Sequence, residues 1–234
     1  MALTSLVPVP GGAGALYAIS ADDWAAIAAR VAQVIGTEDI AAQIQVYIPN
    51  YVSLLAATKA WQADLAKIIA QAVYVGIFAG DMVNALTALA GDLKGLTPAD
   101  PVPAGIAFLF KVKFGAAARS AATIDQGLAP LAPDVDAFVA QNKTADAAIE
   151  KIIAELPPDW KTIGGPLTLL DGAFTLVQQG WGGLAAQLTT LSGDHPGITT
   201  AALLAADLTA INKAWTDLGN AAAAFASHAK PSAL

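Results

Sequence analysis

The chain of 234 residues contains no cysteine and only two histidines. Disulfide bonds, thiolate catalysis and cysteine-based metal sites are therefore excluded. His195 and His228 lie far apart, and neither belongs to a spacing that binds a metal ion. The sequence also lacks motifs for phosphate binding or for an activated serine nucleophile, and its acidic residues are scattered. We expect no catalytic residues, no metal ion and no cofactor, and hence a protein that is not an enzyme.

Charged residues are scarce, at 13% of the chain compared with about 25% in typical globular domains. Lysine and arginine together number 12 and aspartate and glutamate 19, which gives a net charge of −7. Because the basic residues form no dense cluster, we expect no nucleic acid partner and no polybasic site for anionic lipid. Hydrophobic residues make up 56% of the chain, a composition that argues against disorder.

Long uninterrupted apolar runs are also missing. The sequence has no run of about 18 apolar residues, the length that indicates a permanent transmembrane helix. The longest candidate, residues 68–80, is shorter and contains Gln71. The first twenty residues lack a basic region and include Pro8 and Pro10, so we expect no N-terminal signal peptide.

Apolar residues recur every seven positions along much of the chain. Starting at Ile40, every seventh residue as far as Leu96 is apolar, and a second series offset by four positions runs beside the first. Two interleaved series of this kind are typical of a helix that faces one partner surface along its length. We predict one helix over residues 37–96, about 90 Å long at 1.5 Å per residue. Pro49 should kink it.

The same spacing returns in three later stretches, and a capping box at Ser20 and Asp23 indicates a first helix. The sequence therefore predicts a single all-α domain over residues 1–234, an elongated bundle of about five long helices. The tryptophans at 24, 61, 181 and 215 lie on the apolar stripes and are expected in the core. Trp160 alone is a candidate anchor at a lipid interface. The first two predicted helices cover residues 21–35 and 37–96, and a third covers residues 121–156. The last two heptad stretches run over residues 163–191, where Pro166 indicates the start of the helix, and over residues 204–225.

The segment over residues 97–118 differs from the rest. After several prolines, Phe110, Val112 and Phe114 alternate with Lys111 and Lys113, a period of two that is typical of a strand. We predict a short β-hairpin or an irregular apolar cap between the two central helices, at one end of the bundle. Such a segment either folds back on the bundle or contacts another surface. The candidate membrane-contact residues are Phe108, Leu109, Phe110, Val112 and Phe114.

The order of these elements resembles the helical pore-forming toxins of the cytolysin A and haemolysin BL type. In this resemblance, residues 37–96 are the first central helix, residues 101–115 the hydrophobic tongue, and residues 121–156 the second central helix. The resemblance implies a secreted or released protein that is soluble before it binds a lipid membrane. It also implies a rearrangement on the membrane and assembly into a homo-oligomer, or a hetero-oligomer with related components.

Three functions fit the sequence. The first is a pore-forming or membrane-inserting toxin component, and the second is a non-lytic lipid carrier built from amphipathic helices. The third is a structural or partner-binding scaffold. Scarce charge argues against a scaffold exposed along its length, because such rods usually carry charges on their outer helix positions.

Overall fold

The computed structural model describes residues 17–154, 156–157, 160–193 and 198–229. These residues form helices and turns and no β-strand, so the prediction of an all-α protein is confirmed. Eight of the described helices have six or more residues, instead of about five long ones. They are α1 Ala21–Gly36, α2 Tyr51–Asp92, α3 Ala104–Leu109, α4 Gly115–Leu128, α5 Ala132–Ile152, α6 Gly164–Leu170, α7 Ala173–Ser192 and α8 Leu208–His228. The N-terminal residues 1–16 and the turn that holds His195 lie outside the described residues.

Helix α1 begins at the predicted capping box. The Ser20 hydroxyl accepts a hydrogen bond from the Asp23 N–H at 3.1 Å and donates one to the Asp23 carboxylate at 2.7 Å. The first of these bonds satisfies one of the amide groups that a helix N-terminus leaves without a partner. The apolar stripe that includes Trp24 and Val31 is buried against the rest of the bundle.

The prediction of one helix over residues 37–96 is wrong at its N-terminal end. Residues 38–44 form only short helical turns, and the long helix α2 begins at Tyr51, two residues after Pro49. Proline lacks the amide hydrogen that a helix interior needs, and its ring clashes with the preceding turn. The helix is therefore interrupted at Pro49 instead of kinked. Helix α2 has 42 residues and is about 63 Å long at 1.5 Å per residue.

The members of the first heptad series change from exposed to buried at the same place. From Leu54 to Leu89 every member of the first series is buried, which confirms that the spacing marks a core-facing stripe. The two earlier members, Ile40 and Tyr47, are exposed because they precede the helix. Past the C-terminus of α2, Gly95 takes a positive φ of 81° that side chains disfavour, and the chain reverses.

Helices α3, α4 and α5 form a descending limb antiparallel to α2. Gly127 lies against the Gln71 side chain, and further along the Phe138 ring stacks on Trp61 with centroids 4.6 Å apart. We call the end of the bundle at the C-terminus of α2 the tip end. The opposite end, where Tyr51 and Trp160 lie in a second apolar cluster, is the base.

Helices α7 and α8 complete the bundle. Helix α7 runs antiparallel to α4, since Gly115 faces Ser192 at the tip end and Gly182 faces Asp125 lower down. Helix α8 runs antiparallel to α2, with the Asn212 amide donating to the Thr87 hydroxyl at 3.1 Å near the tip end. The four long limbs therefore alternate in direction, and α2 packs against α4, α5 and α8.

The tryptophans were assigned correctly in four cases of five. Those at 24, 61, 181 and 215 are buried in the main core, as predicted. Trp160 is also buried, and its ring lies 5.8 Å from that of Tyr51. The expectation of a lipid-interface anchor at Trp160 is therefore wrong, because the loop before α6 folds this ring into the base cluster.

Candidate membrane-contact surfaces

The apolar segment at the tip end is helical. Helix α3 begins at Ala104, directly after Pro103, and continues through a π-helical turn over Phe110–Phe114 into α4. No strand forms in the described segment 97–118, so the alternative of a β-hairpin is wrong. Ile106, Phe110 and Phe114 are spaced by four residues and all face the core, and this helical period outweighs the period of two seen with the lysines.

The five predicted contact residues divide into two sets. Leu109, Phe110 and Phe114 are buried, and the rings of the two phenylalanines lie 5.0 Å apart. Phe108 and Val112 are exposed, at 68% and 43% of their surface. The segment is therefore partly a cap on the bundle and partly an outward surface.

Phe108 and Val112 lie on one face of the helix, because residues four apart are neighbours on a helical surface. Lys111 and Lys113 are exposed beside them. Single exposed apolar side chains are ordinary on soluble proteins. Here two of them share a face at the end of the bundle, between cationic side chains. We call Phe108, Lys111, Val112 and Lys113 the tip surface.

A second apolar surface lies along the outer face of α2. No charged residue occurs between Lys67 and Asp81, and this stretch exposes Val73, Tyr74 and Ile77. We call these three residues the α2 face. The stretch coincides with the longest apolar candidate in the sequence, residues 68–80.

By length and composition, α2 is the one helix in the described part of the chain that is able to cross a membrane. Its most apolar window of 18 residues has a mean hydropathy of 1.5, and the fold buries only 44% of that window. The core helix of a soluble protein passes the same test of length and composition. A search for uninterrupted apolar runs misses this window because isolated polar residues interrupt it.

A furrow separates α2 from α4 next to the α2 face. It has a volume of about 410 Å³ and is walled mainly by small side chains such as Ala85, Ala117 and Ser120. A shallower depression of about 210 Å³ continues it past Tyr74 toward the base. Asp81 lines both parts, and Asn84 and Lys113 also line the larger one, so the walls of the furrow are mixed in polarity.

A buried polar cluster at the base joins three parts of the chain. Arg30 on α1 donates to Asp146 Oδ1 on α5 at 3.1 Å, to Asn142 Oδ1 at 3.4 Å and to the Lys161 carbonyl. The Ile163 N–H donates to Asp146 Oδ2 at 2.9 Å. The cluster therefore fixes α1 and the loop before α6 on the same turn of α5.

Burial controls the titration of this ion pair. Burial raises the pKa of Asp146 above its usual value, although the Arg30 charge and the Ile163 amide act in the opposite direction. Burial likewise lowers the pKa of Arg30, against the effect of Asp146. One indication of the cluster is visible in the sequence, because Asn142 is a polar residue in an otherwise apolar heptad series. Nothing in the sequence pointed to Arg30 and Asp146 as the other members of the cluster.

Within the described ranges, no group of three or more histidine, cysteine or acidic side chains is placed to hold a metal ion. His228 lies at the end of α8 with its ring 5.8 Å from that of Phe225. The expected absence of metal, cofactor and catalysis stays a prediction.

The chain matches no family model, no curated protein and no solved structure. The two apolar surfaces and the furrow are therefore the features that indicate a function.

Proposed function

We propose that this protein is a pore-forming or membrane-inserting toxin component that converts from a soluble bundle to a membrane-bound oligomer. One observation carries the proposal: the fold buries only 44% of an 18-residue window in α2 that is apolar enough to cross a bilayer. A helix satisfies its own backbone hydrogen bonds, so α2 would enter hydrocarbon without leaving amide groups unpaired.

The tip surface is the proposed point of first contact. Phe108 and Val112 already project into solvent, so they reach a bilayer before any helix moves. Insertion of the whole segment requires the buried Phe110 and Phe114 to exchange core contacts for lipid. Such an exchange is a shift between two packed states, and lipid favours the open state when it covers more apolar surface there.

The polar residues of α2 support an oligomer. Asp81 and Asn84 lie on the same helix as the apolar window and are exposed beside the furrow. Charged and amide side chains inside a membrane face a water-filled cavity or another polypeptide instead of lipid. An inserted α2 would therefore need other copies or related components around it, with these side chains toward the pore.

Dye release from vesicles tests the proposal. The wild-type chain should release an entrapped dye, and the double variant Phe108→Ser/Val112→Ser should release it more slowly while its thermal unfolding is unchanged. The matched control Val46→Ser/Val52→Ser removes two exposed apolar side chains at the base and should release dye at the wild-type rate. Absence of dye release by the wild-type protein from every vesicle composition would refute the proposal.

The furrow favours a second candidate, a non-lytic lipid carrier. Its volume of about 410 Å³ and its alanine-rich walls are suited to the acyl chain of a lipid, and Asp81, Asn84 and Lys113 in the same lining would face its polar end. A carrier would bind a fluorescent fatty acid and leave vesicles intact, whereas a pore-forming component would release the dye. A scaffold would do neither, so the same pair of assays separates all three functions.

A further inference from the structure

The described lysines and arginines that form no ion pair are concentrated in one part of the chain. Eleven of the twelve lysines and arginines lie in the described residues. Five of these form ion pairs with carboxylates, at positions 30, 59, 67, 143 and 213. The other six form no ion pair with any described residue, and four of these six lie between residues 94 and 119. They are Lys94, Lys111, Lys113 and Arg119, and all four are exposed.

The tip end therefore differs in charge from the rest of the molecule. Residues 94–119 contain these four cations and one acid, Asp100, a net charge of +3 in a chain whose total is −7. Asp100 accepts hydrogen bonds from the Thr97 N–H at 2.6 Å and the Thr97 hydroxyl at 2.9 Å. Among the described residues, Asp92 at the C-terminus of α2 and Asp207 directly before α8 also lie at this end, and with these two acids the charge is still +1.

Spacing along the sequence hides this feature because the basic residues are not consecutive. Helical folding places Lys111 and Lys113 directly beside the exposed Phe108 and Val112. Lys113 also reaches the furrow near Ala88, six residues before Lys94. Cations within about 10 Å of one another act together at 0.1 M salt, because this is the Debye length.

An aromatic and a β-branched side chain between two lysines fit one kind of surface well. Phe108 and Val112 would enter the apolar boundary of a bilayer, while the lysine side chains extend their ammonium groups back to the phosphate layer. We infer that the tip surface docks on bilayers that contain anionic lipid. This inference depends on the proposed membrane function and names the lipid that the tip surface selects.

The energetics make the lysines decisive for lipid selection. Each basic side chain near an anionic leaflet strengthens binding about fivefold. Loss of both lysines should therefore weaken binding to anionic vesicles about 25-fold. Binding to uncharged vesicles depends on Phe108 and Val112 and should change little. Nucleic acid is a poor alternative partner, because phosphate binding alone gives the two exposed apolar side chains no role.

Co-sedimentation of the full chain with vesicles tests the inference. One set of vesicles contains phosphatidylcholine alone, and the other contains phosphatidylglycerol in addition. The variant is Lys111→Gln/Lys113→Gln, and the matched control is Lys151→Gln/Lys161→Gln, which removes two exposed lysines outside the tip surface that form no ion pair with a described residue. We expect the wild type and the control to prefer the anionic vesicles, and the tip variant to lose that preference. Raising the salt concentration should weaken anionic-vesicle binding of the wild type more than that of the tip variant.

Each outcome decides a separate question. Equal binding of the wild type to both vesicle sets, with dye release from both, would overturn the lipid selection and leave the proposed function intact. Equal loss in the control and the tip variant would also overturn it, because net charge and not the tip surface would then be responsible. Failure to bind or permeabilise either vesicle set would overturn both proposals. The single variant Lys111→Gln, outside the furrow, provides the same test if the double variant folds poorly.

Discussion

Replacement of Asp146 by asparagine should destabilise the base of the bundle strongly. The carboxylate lies 3.1 Å from the Arg30 guanidinium, and the two side chains are 9% and 1% exposed. Asparagine keeps the shape but removes the charge, and Arg30 then stays buried without a counter-ion. The new amide nitrogen also replaces one of the two oxygens that accept hydrogen bonds from Arg30 and from Ile163.

The expected magnitude follows from the burial of the pair. Removal of one partner from a buried ion pair costs about 3–5 kcal/mol, because the remaining charge is uncompensated. For a protein of this size, 1 kcal/mol lowers the melting temperature by about 2–4 °C, so the expected decrease is about 6–20 °C. The pair itself contributes less than this figure, since its desolvation offsets much of its attraction.

The double variant Arg30→Met/Asp146→Leu separates these two quantities. Both charges are removed, so the free energy of unfolding should return close to that of the wild type. A deficit of about 1–3 kcal/mol should persist, because the Ile163 N–H loses its acceptor. Urea unfolding of the wild type, Arg30→Met, Asp146→Leu and the double variant gives the coupling energy. A change below 1 kcal/mol for Asp146→Asn, as for a surface ion pair, would refute the argument that the charges are desolvated.

The remaining predictions concern single residues. In Arg30→Met the Asp146 carboxylate stays buried without its counter-ion, and burial raises its pKa, so the stability of this variant is lost as the pH rises through the folded pKa and is recovered below the unfolded-state pKa. Arg30→Met removes the opposing charge, and its urea midpoint should approach that of the wild type as the pH falls toward about 4. Gly80→Ala should stabilise the protein by about 0.5–1 kcal/mol in thermal unfolding, because a Cβ there meets no described atom within 4 Å. Gly219→Leu should destabilise the protein, because even a Cβ at this position would lie 3.1 Å from the Cβ of Ala79. Unchanged stability would contradict close packing of α2 and α8. Phe110→Ala should cost about 3–5 kcal/mol in urea unfolding, and a smaller loss than 1 kcal/mol would place this ring outside the core.

The long-range periodicity of the sequence predicted much of the core. The heptad positions from Leu54 to Leu89 are buried along one stripe of α2 because a constant period keeps the same face toward the partner helices. The N-terminal boundary was wrong because the apolar spacing continues through Pro49. A proline without an amide hydrogen outweighs a favourable pattern of side chains.

The tip segment shows how two periods compete. Phe110, Val112 and Phe114 alternate with lysines, which suggested a strand, but Ile106, Phe110 and Phe114 are four residues apart and all buried. The segment is helical because it continues into α4 and packs on α7. A helix forms its backbone hydrogen bonds and buries its apolar stripe at the same time.

The buried ion pair was beyond prediction from one sequence. Arg30 and Asp146 are separated by 116 positions, and neither carries a local pattern that names its partner. Their pairing depends on how α1 is placed against α5, which is set by packing of the whole bundle. The exposure of Phe108 and Val112 likewise depends on the helical conformation of the segment, which turns Ile106, Phe110 and Phe114 toward the core.

The central claim is that the tip end must open before α2 enters a membrane. The chain has no cysteine, so a Gly115→Cys/Ser192→Cys variant would contain a single thiol pair joining the start of α4 to the end of α7. A Cβ at Gly115 would lie 3.4 Å from that of Ser192, near the lower limit of about 3.5 Å for disulfides.

Dye release by this variant is the most direct measurement. The oxidised protein, with its tip end held closed, should leave vesicles intact, and reduction of the disulfide should restore release to the wild-type rate. Each single-cysteine variant, treated with the same oxidant, should stay active. Equal dye release by the oxidised and reduced forms would contradict the account, because membrane entry would then proceed with the bundle closed.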